Sequence, residues 1–470
     1  MSPAIATVAY GIGILSLFAL DQDPESRPSR ALWLPVLWLL IEASRPVSSW
    51  LQMAPPTSGS TYLEGSPLDR SVFLSLSVIG LIVLIARAHQ VSTLLRANRA
   101  ILLFFLYCGV SVLWSDYSDV ALRRWIKALG ELVMVLIVLT DPHPVTAVKR
   151  LLARAGFLLL PLSILLIKYY GDLGRNYRPG DFGTMWNTTN IGVTTDKNGL
   201  GMIAMIFGLG ALWQLVKLRQ SSGTPRRWKR IAAQGMLLVT ALWILGAANS
   251  MTSLSCFMLG ATLLILTSFW GFFRRPAVLA TVVIAALCLS LVALFIAPNL
   301  LSVLGRDPTL TGRTEIWNLV LGMTGNPLLG TGFESFWLGS RLQTMWSIYW
   351  WHPNEAHNGY IEIFLDLGWM GVALLAVLLL TGLRNTLTAV RQQAEAGGLM
   401  LAYFVVVLIY NFTESAFRQL DPIWFVLLLS VFAVQESSVV FEIDQVENLA
   451  EEPENEFRDL VQADSLKGAT

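Results

Sequence analysis

Residues 355–375 read "EAHNGYIEIFLDLGWMGVALL", polar and ionisable at the front and pure membrane helix at the back. The back belongs to an apolar run near 359–382, long enough to cross a ~30 Å hydrocarbon core as a helix. Glu362 and Asp366 fall inside that run at i and i+4, on one helical face. Charge at such depth is costly, so both carboxylates are expected to face the bundle interior, where they bind something or meet a structural partner such as a buried Arg. His357 and Asn358 stand at the water-facing end. The helix dipole there disfavours imidazolium, so His357 is expected to be neutral near pH 7, as a general base must be. A simple helix cap or interfacial histidine is the alternative reading.

Working outward, the same apolar signature recurs. Of 470 residues, 54% are hydrophobic and only 14% charged, where a soluble domain has about 45–50% and about 25%. Apolar segments lie near 4–20, 31–44, 71–86, 100–114, 125–139, 153–169, 199–216, 231–248, 252–273, 276–297, 359–382, 398–412 and 420–435. They predict an all-α integral membrane protein with about 12–13 transmembrane helices. Barrel strands alternate apolar with polar residues, and these runs do not. The first run lacks a basic n-region and precedes "DQDPES", which reads as a spanning helix rather than a cleaved signal. Cys108, Cys256 and Cys288 sit far apart within apolar runs, as packing residues, and no Cys/His group has zinc spacing.

Lys and Arg crowd every second loop: Arg87, Arg96 and Arg99; Lys149, Arg150 and Arg154; Lys217 to Arg230; Arg274 and Arg275; Arg384 and Arg391. Those loops are therefore cytoplasmic, and 44–70, 115–124, 170–198, 249–251, 298–358 and 413–419 face outward. The long loop 298–358 marks the working face. In its "TLTGRTEIWNLVLGM", Thr311 is a candidate N-cap, and Arg313 shares a face with Trp317 and Val320. Arg313 is either a snorkelling anchor or a bidentate phosphate clamp. The following "NPLLGTGFESFW" is expected to lie along the lipid surface. Asp196, Lys197 and Asn198 stand at a second helix mouth, in "TDKNGLGMIAMIFG", and Glu414 and Arg418 in the last outer loop. Arg175, Arg178, Arg306 and Arg341 add positive charge to the outer loops. Acid, base and cation thus converge on one face, as a catalytic site or a transport vestibule requires.

Walker-type "GxxxxGK" is missing, and "DQD" at 21–23 is the one candidate for a metal-nucleotide. No nucleic-acid partner is expected. The acidic tail, 436–470, reads as a mobile cytoplasmic solvating segment.

"GRTEIW" (312–317), "NPLLGTGF" (326–333) and "HNGYIEIFLDLGWMG" (357–371) resemble the signature region of the O-antigen ligase and polymerase family. "TDKNGLG" (195–201) resembles its second motif, and "LWSDYSDVALRRWIK" (113–127) a hairpin common in its exopolysaccharide-polymerase branch. The resemblance covers about 100–435, which divides the chain into N-terminal helices 1–99, a ligase/polymerase-like membrane domain and the tail. It implies a GT-C-type glycosyltransferase of the bacterial inner membrane, needing neither nucleotide-sugar, metal nor other cofactor. The donor would be an undecaprenyl-diphosphate-linked oligosaccharide, used at the periplasmic face. The acceptor would be another lipid-linked repeat unit in a polymerase, or lipid A core in a ligase, with a flippase and a chain-length regulator as partners. Arg313 and Lys197 match the family's basic positions and would hold the diphosphate. His357 would deprotonate the acceptor hydroxyl or orient it. Glu362 would orient His357 or contact sugar, although helix rotation separates those two residues. Asn198, Arg306, Asn358, Asp366 and Glu414 complete the expected substrate-binding set. A transporter of small anions or lipid-linked glycan is the alternative of another class. It calls for two related halves with broken helices at the midplane, and no such repeat is visible in the sequence.

Overall fold

A computed structural model of the chain describes residues 1–22, 28–53, 66–178, 187–220, 226–275, 277–286, 288, 309–349 and 351–432. Its principal helices are α1 (Pro3–Leu20), α2 (Trp33–Glu42), α3 (Pro67–Ala86), α4 (Ala88–Ala97), α5 (Arg99–Val110), α6 (Ser118–Leu139), α7 (Pro144–Tyr169), α8 (Lys197–Gln220), α9 (Arg227–Ala248), α10 (Met251–Phe269), α11 (Thr309–Gly322), α12 (Gly339–Ile348), α13 (Gly359–Arg391), α14 (Gly397–Tyr410) and α15 (Pro422–Val431). A short hairpin, β1 (Arg175–Arg178) against β2 (Asn187–Asn190), lies in the segment between α7 and α8, with Arg175 opposite Asn190. The tail expected at 436–470, Arg306 and Asp23 lie outside the described residues.

This is an all-α, multi-pass membrane protein. Among the described residues, seven helices (α1, α3, α7, α8, α9, α10 and α13) are long and apolar enough to cross a membrane, or up to eight if the bent pair α4–α5 is one span. The larger number expected from sequence includes apolar runs whose described helices are shorter or more charged than these. Segment 31–44 forms the 10-residue α2. Segment 125–139 lies in α6, which carries Arg123, Arg124, Lys127 and Glu131. Segments 398–412 and 420–435 form α14 and α15, apolar on every side because protein surrounds them; Tyr403, Phe404 and Phe425 are fully buried. Segment 276–297 includes the helix Ala277–Ala286, and most of the remainder lies outside the described residues.

The outer surface is the reverse of a soluble protein's. Helix α1 exposes Ile5, Val8, Ile12 and Leu15, and α3 exposes Leu81, Ile82 and Ile85. Apolar stripes of that extent suit lipid and not water. The expected loop around Arg87, Arg96 and Arg99 is instead the helix α4, which buries none of its residues and meets the next helix at 91°. Such an exposed, basic, amphipathic helix suits the membrane interface.

Charged groups gather at two ends of the bundle. At the basic-loop end, Asp21 accepts from Arg150 at 2.7 Å and from Gln234 at 3.0 Å, and Lys149 pairs with Glu395. Asp21 is therefore a buried salt-bridge partner, while Asp23, the other half of "DQD", lies outside the described residues. Gln214 near the end of α8 donates to the Lys149 carbonyl at this end. Asn198, at the start of α8, lies about 24 Å away along the helix axis, beside the site described next.

The decisive local feature is a break in α13. Gly368 has φ +61° and ψ −166°, so the helix stops and restarts there. The loop 326–337 fills the gap. Gly332 N–H donates to the Asp366 carbonyl at 2.8 Å and Thr331 N–H to that of Leu365 at 3.1 Å, while Trp369 N–H donates to the Pro327 carbonyl at 2.9 Å. Carbonyls freed by the break thus find partners, as burial demands. A Cβ on Gly368 would stand 2.3 Å from the Leu328 carbonyl, and one on Gly330 (φ +70°) 2.4 Å from that of Asp366. The sequence predicted a lipid-surface element here; the loop is instead packed inside, with Phe336 fully buried and Trp337 nearly so. Hairpin 111–117 clamps its other side: Ser115 and Ser335 hydroxyls meet at 2.7 Å, and Ser111 Oγ accepts Phe333 N–H at 3.0 Å.

Candidate active site

The half-helix of α13 before the break begins with a cap. Asn358 Oδ1 accepts the N–H groups of Tyr360 (3.0 Å) and Ile361 (3.1 Å). Its Nδ2 donates to the Phe412 carbonyl at 3.3 Å, and its backbone N–H to Ser415 Oγ at 3.0 Å. Both amide atoms are engaged by protein, so Asn358 sets the direction of α13 rather than offering a free ligand group.

His357 precedes the cap in a left-handed conformation, φ +52°. Such a backbone is uncommon outside glycine and costs roughly 1–3 kcal/mol, a strain that clusters at functional sites. Here the ring is turned off the α13 axis towards two acids. Nδ1 lies 2.8 Å from Glu355 Oε1 and 3.5 Å from Glu414 Oε2, off the ring N–H axis, so the contacts are ion pairs rather than straight hydrogen bonds. Trp351 stacks over the imidazole, with centroids 6.1 Å apart.

Each acid also holds an arginine. Glu355 Oε2 accepts from Arg418 at 2.8 Å. Glu414 Oε1 accepts from Arg313 at 3.3 Å and from Asn198 Nδ2 at 2.9 Å. Arg313 also donates to the Thr413 carbonyl. The result is an alternating chain, Arg418–Glu355–His357–Glu414–Arg313. Helix α11 presents Arg313 to it. That helix begins at Thr309, so Thr311 lies inside it rather than at its cap. Trp317 anchors it by donating to the Ala356 carbonyl at 2.8 Å, a protein contact where a lipid anchor was one expectation.

The protonation of His357 differs from the sequence-based expectation. Burial alone would lower its pKa, but the contacts with Glu355 and Glu414 and their negative charges push it up to about 9. Two carboxylates at contact distance outweigh a half-charge from a helix end, so the resting ring is imidazolium rather than neutral. For Glu355, burial works upward, but His357 and the charge of Arg418 prevail and hold it below the usual carboxylate range.

Lys197 is exposed at the first position of α8, next to Asn198, and its ammonium has no hydrogen bond or salt bridge among the described residues. Glu362 does not reach His357. It accepts from Trp337 Nε1 at 3.0 and 2.8 Å and from Ala356 N–H. Asp366 Oδ1 accepts the N–H groups of Ser335 and Phe336, each at 2.9 Å, and so holds the 326–337 loop. Glu355 and Trp351 were missed by the sequence reading; Glu355, two residues before His357 in the quoted stretch, was the available signal.

Glu355, His357 and Glu414 offer ligand atoms within 4.8 Å of one another, a spacing that a metal ion could use. Arg418 holds Glu355 Oε2, and Arg313 and Asn198 hold Glu414 Oε1, so both acids already have a cation while Glu355 Oε1 and Glu414 Oε2 face His357. The set works as an ion-pair network.

The sequence is similar to that of known proteins. Residues 236–376, which include Arg313, His357, Glu362 and Asp366, match the family model described as O-Antigen ligase. The exopolysaccharide production protein ExoQ of Rhizobium meliloti is 26% identical over 333 residues, covering 68% of this chain and 71% of that protein. A putative polysaccharide ligase of Rickettsia felis is 24% identical over 360 residues (72% and 84%), and one of Rickettsia typhi 22% over 348 (70% and 79%). With its signature helix mouths assembled into one charged network, the chain matches the O-antigen ligase model over residues 236–376 and is similar along about 70% of its length to an exopolysaccharide production protein and to polysaccharide ligases, which supports a polysaccharide ligase/polymerase role.

Proposed function

We propose that the protein is a glycosyltransferase that polymerises O-antigen or exopolysaccharide repeat units, taking its donor glycan from undecaprenyl diphosphate at the periplasmic face of the inner membrane. The observation that carries this reading is the placement of His357. Its Nδ1 is held by Glu355 and Glu414, which leaves Nε2 for a substrate, and Glu414 also holds Arg313 and Asn198, the neighbour of Lys197. A carboxylate on one imidazole nitrogen fixes the ring for proton transfer at the other.

In this reaction an acceptor hydroxyl oxygen bonds to the anomeric carbon as the bond to the diphosphate oxygen breaks, with inversion. Neutral His357 takes the hydroxyl proton on Nε2. Arg313 keeps further N–H donors besides those on Thr413 and Glu414, and together with Lys197 it stabilises the charge growing on the leaving diphosphate. In this scheme the two side chains supply the positive charge that a metal ion would otherwise bring to the leaving group.

A second reading, transfer of the glycan to lipid A core, draws support from the Rickettsia relatives, each named a putative polysaccharide ligase. Complementation separates the two. The wild type, His357→Ala and Arg313→Ala are expressed in hosts lacking a polymerase or a ligase with matched glycans, and membrane levels of each are checked. A ladder of polymer restored only by wild type in the first host is the expected result. Rescue only in the second host makes the protein a ligase, and rescue by both variants removes the assigned roles.

A further inference from the structure

A cavity of about 280 Å³ opens beside the ion-pair network and shares Glu355 and Arg418 with it. That is close to the lower end of small-ligand sites, about 300–1,000 Å³. Its far wall is α6, which contributes Arg124 and Lys127 at i and i+3. Arg124 is occupied, donating to the Glu334 carbonyl. Lys127 is not: its partly buried side chain makes no hydrogen bond or salt bridge among the described residues. The carboxylates of Glu334 and Asp69 act on this ammonium only at a distance, so a neutral acceptor inside the cavity would improve its solvation.

The rest of the lining says what that is. Glu334, Glu355, Glu362 and Asp366 face the same cavity, with Trp337 adding apolar surface. Four carboxylates against Arg124, Lys127 and Arg418 make a poor seat for a diphosphate, which the Arg313 side serves better. They suit a polyhydroxylated ring, whose hydroxyls donate to carboxylates and accept from Lys at once. We propose that this cavity is a saccharide subsite, seating the sugar ring next to the bond being made, with Lys127 as its free donor. The inference rests on the glycosyl-transfer reading and names where one of its sugars binds.

The test uses purified full-length protein in detergent: wild type, Lys127→Ala, Lys127→Gln and His357→Ala. The probe is the oligosaccharide repeat unit released by mild acid from the host's lipid-linked donor, followed by saturation-transfer NMR. Steady-state kinetics with donor and acceptor varied separately accompany it. Wild type and His357→Ala should bind the probe alike, while Lys127→Ala loses roughly tenfold in affinity, the effect of one charged hydrogen bond. Lys127→Gln, which keeps a donor and guards against misfolding, should fall between. The substrate whose KM rises, with kcat changing less, identifies the ring as the donor's or the acceptor's. Unchanged probe binding and unchanged KM for both substrates in Lys127→Ala, with wild type active, would overturn the subsite and leave the transfer reading standing. Wild type that neither binds the probe nor transfers glycan overturns both.

Discussion

Asn198 and Glu414, 216 positions apart, meet at 2.9 Å between the start of α8 and the loop after α14. The contact ties the Lys197 mouth to the Arg313–His357 network through a single carboxylate. Glu414→Gln keeps that oxygen as an acceptor but removes its charge. The imidazolium then loses one of its two anions, so the His357 pKa should fall from about 9 towards its ordinary 6.5. The acid limb of kcat/KM should move to lower pH in the variant; an unmoved limb would show that Glu414 does not govern the histidine.

With a pKa of about 9, only roughly 1% of His357 is neutral at pH 7. If its Nε2 takes the acceptor proton, kcat/KM should rise roughly tenfold from pH 7 to pH 8 and level off above about 9. A profile flat from pH 7 to 9 would assign the base to a carboxylate and leave His357 as an electrostatic partner.

The same ion pair links pH to folding. The His357 pKa is raised above its unfolded value, so its contribution is fully present below about 6.5 and is lost as pH climbs through about 9. Glu355 is depressed, so its contribution is present above the unfolded carboxylate value and is lost at more acid pH. Thermal melts in detergent should show wild type losing more stability between pH 6 and pH 10 than His357→Gln does.

Gly368→Ala would set a methyl 2.3 Å from the Leu328 carbonyl at a positive φ. The loop and half-helix must separate, and a cost of order 1–3 kcal/mol from backbone strain alone is expected. A lowered Tm together with reduced transfer checks this; a wild-type Tm would mean that the break tolerates a side chain.

Chelation probes the ion-pair network from another side. Because arginines already neutralise Glu355 and Glu414, EDTA should leave transfer unchanged. Loss of activity that a divalent cation restores would instead make Glu355, His357 and Glu414 a metal site.

The helical membrane body and the residues at its outer helix mouths were legible in the sequence, because apolar runs and isolated charges within them are local signals. Arg313, His357, Asn198 and Glu414 do come together. What was not legible depends on contacts across the chain. The charge on His357 was misjudged because the helix dipole is visible from one segment, whereas Glu414 arrives from a loop far along the sequence. Glu362 and Asp366 looked membrane-embedded because hydropathy runs straight through Gly368, and glycine is common in spanning helices. Only the loop packed against that glycine turns one apolar run into two pieces. Helices α14 and α15 are as apolar as the longer spans but shorter, and their burial on every side comes from contacts that hydropathy does not show.

The break at Gly368 also divides α13 into two pieces. Trp369–Arg391 alone rises about 34 Å, already enough for a ~30 Å hydrocarbon layer. Everything before it in α13, including Glu362 and Asp366, is surplus to crossing the bilayer. Bilayer thickness therefore bears on the second piece alone, while the first is held by protein at a height of its own. The position of Glu362 and Asp366 is thus set by the protein packed around them rather than by the need to cross a bilayer.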